Sequence, residues 1–155
     1  MAREWWEQVH RHHVVPSHAA RNLRRLELHL FPAIGQLPIN EVTAPQLLAA
    51  LRQVEQKGSI ETAHRLRTLT GQVFRYAIST ERAERDVASD LRDTLRPAVT
   101  KHHAAIVAPE EIGPLLRVID GYGGYPATLG ALKLAPLVFV RPGELRQAEW
   151  NDFDL

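Results

Sequence analysis

The sequence predicts an all-α protein: a first bundle of four to five helices, followed by a second and shorter set of helices. Three features carry that prediction. Apolar residues recur at three- and four-residue spacing over most of the chain, which is the period of one helix face. Almost no segment alternates apolar with polar residues as a half-buried strand does. Helix-start signals stand directly before the periodic runs, as in Thr43-Ala44-Pro45-Gln46, Ser59-Ile60-Glu61-Thr62 and Pro109-Glu110-Glu111.

Taken in order, residues 2–13 form a short helix with Trp5, Trp6 and Val9 on one side. Pro16-Ser17 reads as a break and an N-cap. The next helix runs over residues 17–33, with Leu23, Leu26, Leu30 and Phe31 at helical spacing, and Pro32 and Gly35 limit its end. A loop at residues 36–40 leads to a helix that starts at Thr43 and uses Leu47, Leu48, Leu51 and Val54 before Gly58. The longest helix spans residues 59–80, with Ala63, Leu66, Thr70, Val73, Phe74 and Ala77 as its inner stripe. Residues 87–95 add one more short helix. Residues 96–108 are weakly patterned and form a linker. Beyond it, helices are expected over residues 109–119, 126–140 and 142–149, the middle one apolar nearly all round and therefore buried. The expected domains are thus residues 1–95 and residues 109–155.

Composition bounds the function. At 155 residues the chain holds one ordinary domain or two small ones. Aromatics are 6% within a 45% apolar content, so aliphatic side chains carry most of the packing. The net charge of +1 argues against a general polycation and leaves local patches open. The absence of cysteine excludes a disulfide framework, thiolate metal ligands and a cysteine nucleophile, and suits a reducing cytoplasm. The longest apolar stretch, residues 134–140, is too short to span a membrane, and the first thirteen residues lack a signal-peptide core. A soluble cytoplasmic protein is expected.

Two constellations carry chemistry. In the first, the apolar run 137–140 delivers one arginine, Arg141, into Pro142-Gly143-Glu144. An arginine at a helix C-terminus is favourable against the macrodipole without further purpose. The alternative is a cation held at the edge of a packed core for a phosphate, with Glu144 orienting it through a charge-assisted bond. In the second, the helix of residues 17–33 carries His18, Arg21, Asn22, Arg24, Arg25 and His29, and the longest helix carries His64, Arg65, Thr68, Gln72 and Arg75 on its polar face. Such faces suit phosphate contacts and groove readout. A solvated surface explains the same residues, and Glu27, Glu61 and Glu81 weaken the field.

Other features carry less. The cluster His10, His12, His13 and the pair His102-His103 have no carboxylate-rich or cysteine partner, so no metal site is expected. Gly121-Tyr122-Gly123-Gly124 lacks the Lys-Ser/Thr ending of a phosphate cradle and reads as a loop.

The segment FVRPGELRQAEWNDFDL resembles the first-arginine motif of the tyrosine recombinases, in particular the phage and prophage integrases. Three further stretches resemble that family in the same order. Residues 28–35 (LHLFPAIG), with Pro38-Ile39 and Thr43-Ala44-Pro45, are similar to the start of its SAM-like core-binding domain. Residues 62–78, containing GQVFRYA, are similar to its long fourth helix, and Pro109-Glu110-Glu111 to the entry of its catalytic domain.

The resemblance implies a site-specific recombinase acting on double-stranded DNA through a 3′-phosphotyrosyl link, without a cofactor or a small-molecule substrate, in the cytoplasm of a bacterial host. Of the family's catalytic groups it maps only the first arginine, onto Arg141, with Glu144 as the acid that follows it. It places Arg21, Arg24, Arg25, His64, Arg65, Thr68, Gln72 and Arg75 toward DNA and implies self-association on DNA in the full-length parent. The lysine, the His-x-x-Arg segment and the tyrosine nucleophile would come after Leu155, and none of Tyr76, Tyr122 or Tyr125 takes the nucleophile's place in that order. The chain therefore reads as a fragment that does not cleave DNA by itself. A non-catalytic DNA-binding regulator and a helical protein-interaction module are the rival readings.

Overall fold

The computed structural model describes residues 1–98 and 105–152, and among them every regular element is helical. The chain divides into two compact units, Met1–Thr100 and Lys101–Leu155. His102-His103 and the terminal Phe153-Asp154-Leu155 lie outside the described residues.

In the first unit, Ala2–Trp5, a π turn Trp6–His10 and Arg11–His13 run on as one helix, α1, with αR backbone at both joins. The π turn lets Trp5 and His10, five residues apart, both face inward, their rings 4.5 Å between centroids. A regular α-helix would turn such a pair away from each other. Helix α2 is Pro16–His29, with Pro16 in the first turn and Val15 preceding it. Ser17 makes no cap and sits inside the first turn, contrary to the sequence expectation. Helix α2 also stops at Leu30 and does not run to residue 33, because Pro32 lacks an N–H and its ring clashes with the carbonyl four residues back. A separate α-helical turn, Phe31–Ile34, follows with Pro32 in its own first turn.

Helix α3, Ala44–Gln56, begins with a full capping box, in which Thr43 N–H donates to Gln46 Oε1 at 2.9 Å. It ends at Gly58, whose φ of +79° permits a six-to-one bond from Ser59 N–H to Val54 O at 3.3 Å. Helix α4, Ile60–Ser79, packs along α3, and Phe74, Leu47, Leu51 and Leu66 form the fully buried centre. At its end Glu81 takes the left-handed position, φ 57°, that usually falls to glycine, and Arg82 N–H reaches back to Ala77 O at 2.8 Å.

The helix expected over residues 87–95 is replaced by a single 3-10 turn, Ser89–Leu91. Asp86 explains the difference: its carboxylate accepts the Ala88 N–H at 2.9 Å and its carbonyl accepts the Ser89 hydroxyl at 2.6 Å. These local bonds hold a turn and compete with a helix ladder. Val87, Ala88, Leu91 and Leu95 still reach the core.

The second unit contains α5 (Pro109–Asp120), α6 (Pro126–Val138), α7 (Pro142–Gln147) and a 3-10 turn, Trp150–Asp152. Lys133 of α6 pairs with Asp120 at the end of α5, 3.0 Å apart. The expectation that α6 is buried on most sides does not hold. None of its residues is buried, and Leu137 and Phe139 are 80% and 98% exposed. Short neighbouring helices offer too little surface within the described residues of this unit to cover an all-apolar helix. Among the described residues no helix is long and apolar enough to cross a membrane.

Candidate nucleic-acid interface

Helices α2 and α4 bring part of the predicted basic surface together. Helix α2 turns Ala19 and Leu26 inward. Three- and four-residue spacing then places Arg21, Arg24 and Arg25 on its outer face. Arg25, half-buried, is the innermost of the three. Its charge is disfavoured first by burial and then by the guanidiniums of Arg65 and Arg21, with Glu61 acting the other way. Arg21 and Arg25 of α2 and Arg65 of α4 therefore share one electrostatic neighbourhood. Arg65 pairs with Glu61 at 3.0 Å, one helical turn away, while Arg21 and Arg24 have no acidic partner among the described residues. The cluster holds more cations than acids, which suits an anion.

Of the other predicted residues on α4, His64, Thr68 and Arg75 have internal partners. His64 Nε2–H donates to the Arg96 carbonyl at 2.7 Å, while the Arg96 N–H donates to buried Glu55 at 2.7 Å. Both backbone groups of Arg96 are thus pinned, and His64 serves to hold the end of the first unit. Thr68 hydroxyl donates to the His64 carbonyl at 3.1 Å. Arg75 pairs with Asp86 at 3.1 Å. Gly71 makes room for that pair, since a Cβ there would sit 3.1 Å from Asp86 Oδ2 and 3.2 Å from Arg75 Nη1. Gln72 lines a shallow depression with Trp5, His10, His13, Arg75 and Tyr76. Sequence reasoning missed these partners because Asp86 and Arg96 lie 11 and 32 residues from the groups they engage.

In the second unit Arg141 is the N-cap residue of α7. Its backbone N–H donates to Glu144 Oε2 at 2.8 Å and its Nη1 to Glu144 Oε1 at 3.1 Å. Glu144 thus meets the guanidinium through Oε1 and the backbone of the same residue through Oε2. The expected packed edge is absent: the Arg141 side chain is 86% exposed, because the apolar run before it is itself exposed. No group of three or more His, Asp or Glu among the described residues is placed to hold a metal ion.

Residues 1–94 match the family model of the phage integrase central domain. The chain belongs to the phage integrase family of tyrosine recombinases. Among curated proteins it is similar to the integrase of Enterobacteria phage P4, 34% identical over 99% of this chain and 34% of that protein. It is also similar to the putative protein IntB of Escherichia coli K12, 36% identical over 88% of the chain and 34% of that protein. The integrase of Shigella phage Sf6 is 30% identical over 98% of the chain and 39% of that protein. The chain spans about a third of the length of these curated relatives. In this integrase-family chain, the family-model match takes in α1 to α4 and so the whole arginine cluster. The similarity to the phage P4 integrase extends over the second unit and Arg141 as well.

Proposed function

We propose that the first unit is the core-binding domain of a phage-type integrase and grips double-stranded DNA with the face that α2 and α4 share. The observation that carries this reading is the crowding of Arg21, Arg25 and Arg65. Arg21 and Arg65 stand close enough to disfavour the charge of Arg25, with Glu61 the acid acting the other way, and such a group gains most from a polyanion. Arg24 and Thr68 extend the face, and guanidiniums suit phosphate oxygens through paired donors. Gln72 and Arg75 lie farther along α4 and His64 directly precedes Arg65, and DNA would have to compete with internal bonds for His64 and Arg75.

In the parent protein, which breaks and rejoins DNA through a 3′-phosphotyrosine and self-associates on its site, Arg141 binds the scissile phosphate and Glu144 fixes its direction. The second unit is the opening of the catalytic domain. The 155 residues alone do not cleave DNA. The Tyr76 hydroxyl is committed to Glu4 at 3.0 Å, and burial and that carboxylate push its pKa up, which makes it a poor nucleophile. This reading needs no cofactor.

Amide chemical shifts recorded while duplex DNA is added test the DNA face. The largest changes are expected at Arg21, Arg24, Arg25, Arg65 and Thr68. Changes confined to other surfaces would contradict the assignment.

A further inference from the structure

Asn22 stands between a buried histidine and the arginine cluster. Its Nδ2 lies 3.0 Å from His10 Nε2, and its Oδ1 accepts from Arg25 Nη1 at 3.0 Å. Donor chemistry fixes the direction of both bonds. A guanidinium carries donors only, so the amide oxygen must face Arg25 and the amide nitrogen must face His10. An amide nitrogen also only donates, so His10 Nε2 is the acceptor and its ring is neutral, with the proton on Nδ1.

The surroundings favour that neutral ring. His10 is 7% exposed and stacks on Trp5. The depression beside it is lined by His13 of α1 and by Gln72, Arg75, Tyr76 and Ser79 of α4, with no acid among them. Burial, and then the charge of His13, hold its pKa below the usual histidine value.

We propose that His10 and Asn22 are positioning residues for Arg25: the buried ring orients the amide, and the amide oxygen holds one Nη of Arg25 against repulsion from Arg21 and Arg65. The remaining guanidinium donors then face outward in a fixed direction, ready for a phosphate. This inference rests on the DNA-binding reading of the α2–α4 face. The π turn in α1 gains a purpose from it, because that turn brings His10 inward next to Trp5 and to Asn22.

The test compares Asn22→Ala, His10→Phe and Arg25→Ala with the unchanged chain, with thermal melts to confirm folding. His10→Phe keeps a ring against Trp5 and removes the acceptor. One readout is the order of the Arg25 Nε–H from nitrogen relaxation without DNA, and the other is affinity for duplex DNA. Asn22→Ala is expected to loosen Arg25 and to weaken binding about fivefold, an effect that disappears when Arg25→Ala is already present. His10→Phe is expected to loosen Arg25 in the same way. Unchanged Arg25 order in Asn22→Ala overturns the relay even if affinity falls, because Asn22 would then meet DNA itself. Loosened Arg25 together with an Arg25→Ala chain that binds DNA undiminished overturns the DNA reading, and the positioning role with it.

Discussion

The two units of this chain are both helical and both rich in aliphatic residues, yet only the first closes around a core. Helices α3 and α4 bury Phe74, Leu47, Leu51 and Leu66 completely, while no described residue of the second unit is buried. Helix formation and burial are separate requirements. Local spacing and prolines in first turns, with the Glu144 bond to the N-cap backbone at α7, suffice to form α5, α6 and α7. Covering their apolar faces needs other surface. The same contrast separates the two candidate sites. The arginine cluster of the first unit is held by α2 and α4 from a packed interior, whereas Arg141 is held by one carboxylate on its own six-residue helix.

The largest expected effect breaks that contrast directly. Phe74→Ala removes a ring from the centre of the first unit and should cost about 3–5 kcal/mol in chemical unfolding. Phe139→Ala, at a ring that is 98% exposed, should move stability by no more than about 0.5 kcal/mol. Equal losses for the two would mean that the second unit has a core after all. Next in size, Thr43→Ala removes the capping box of α3 and should cost about 1 kcal/mol in the same measurement.

The smallest effects lie in the pH dependence of the first unit. Glu4 is clamped by Arg82 at 2.6 and 2.7 Å and accepts from Tyr76, and these bonds, Arg82 foremost, hold its pKa at about 2 against an ordinary 4.5. A depressed acid contributes fully above its unfolded value, so this contribution fades as pH falls from 4.5 toward 2. The neutral His10 is also depressed, below 6.5, and its contribution fades as pH falls below 6.5. Thermal midpoints followed down in pH should therefore decline in two stages. Glu4→Gln should remove the lower stage and leave the upper one, and loss of both would contradict the assignment.

The sequence made the helices legible where signals were local. The threonine cap at Thr43, the stop at Gly58 and the inner stripe of α4 from Ala63 to Ala77 needed only neighbours within a turn or two. It failed where a distant or competing group decided. Asp86 turned residues 87–95 away from a helix, and nothing local announced that α6 would be left uncovered. The site divides in the same way. Helical spacing placed Arg21, Arg24, Arg25 and Arg65 on outer faces, and the resemblance to integrases singled them out. The commitments of His64 to Arg96 and of Arg75 to Asp86, and the His10–Asn22–Arg25 chain, depend on elements far apart in sequence. The Arg141–Glu144 pair was legible because its two members are three residues apart.

The most direct test of the DNA-gripping face is the slope of duplex affinity against salt concentration for the unchanged chain and for Arg21→Ala/Arg25→Ala/Arg65→Ala. A steep slope that flattens by about 0.9 for each lost phosphate contact is the expected result. Binding that ignores salt, or a slope the triple substitution leaves untouched, would contradict a DNA interface at these three arginines.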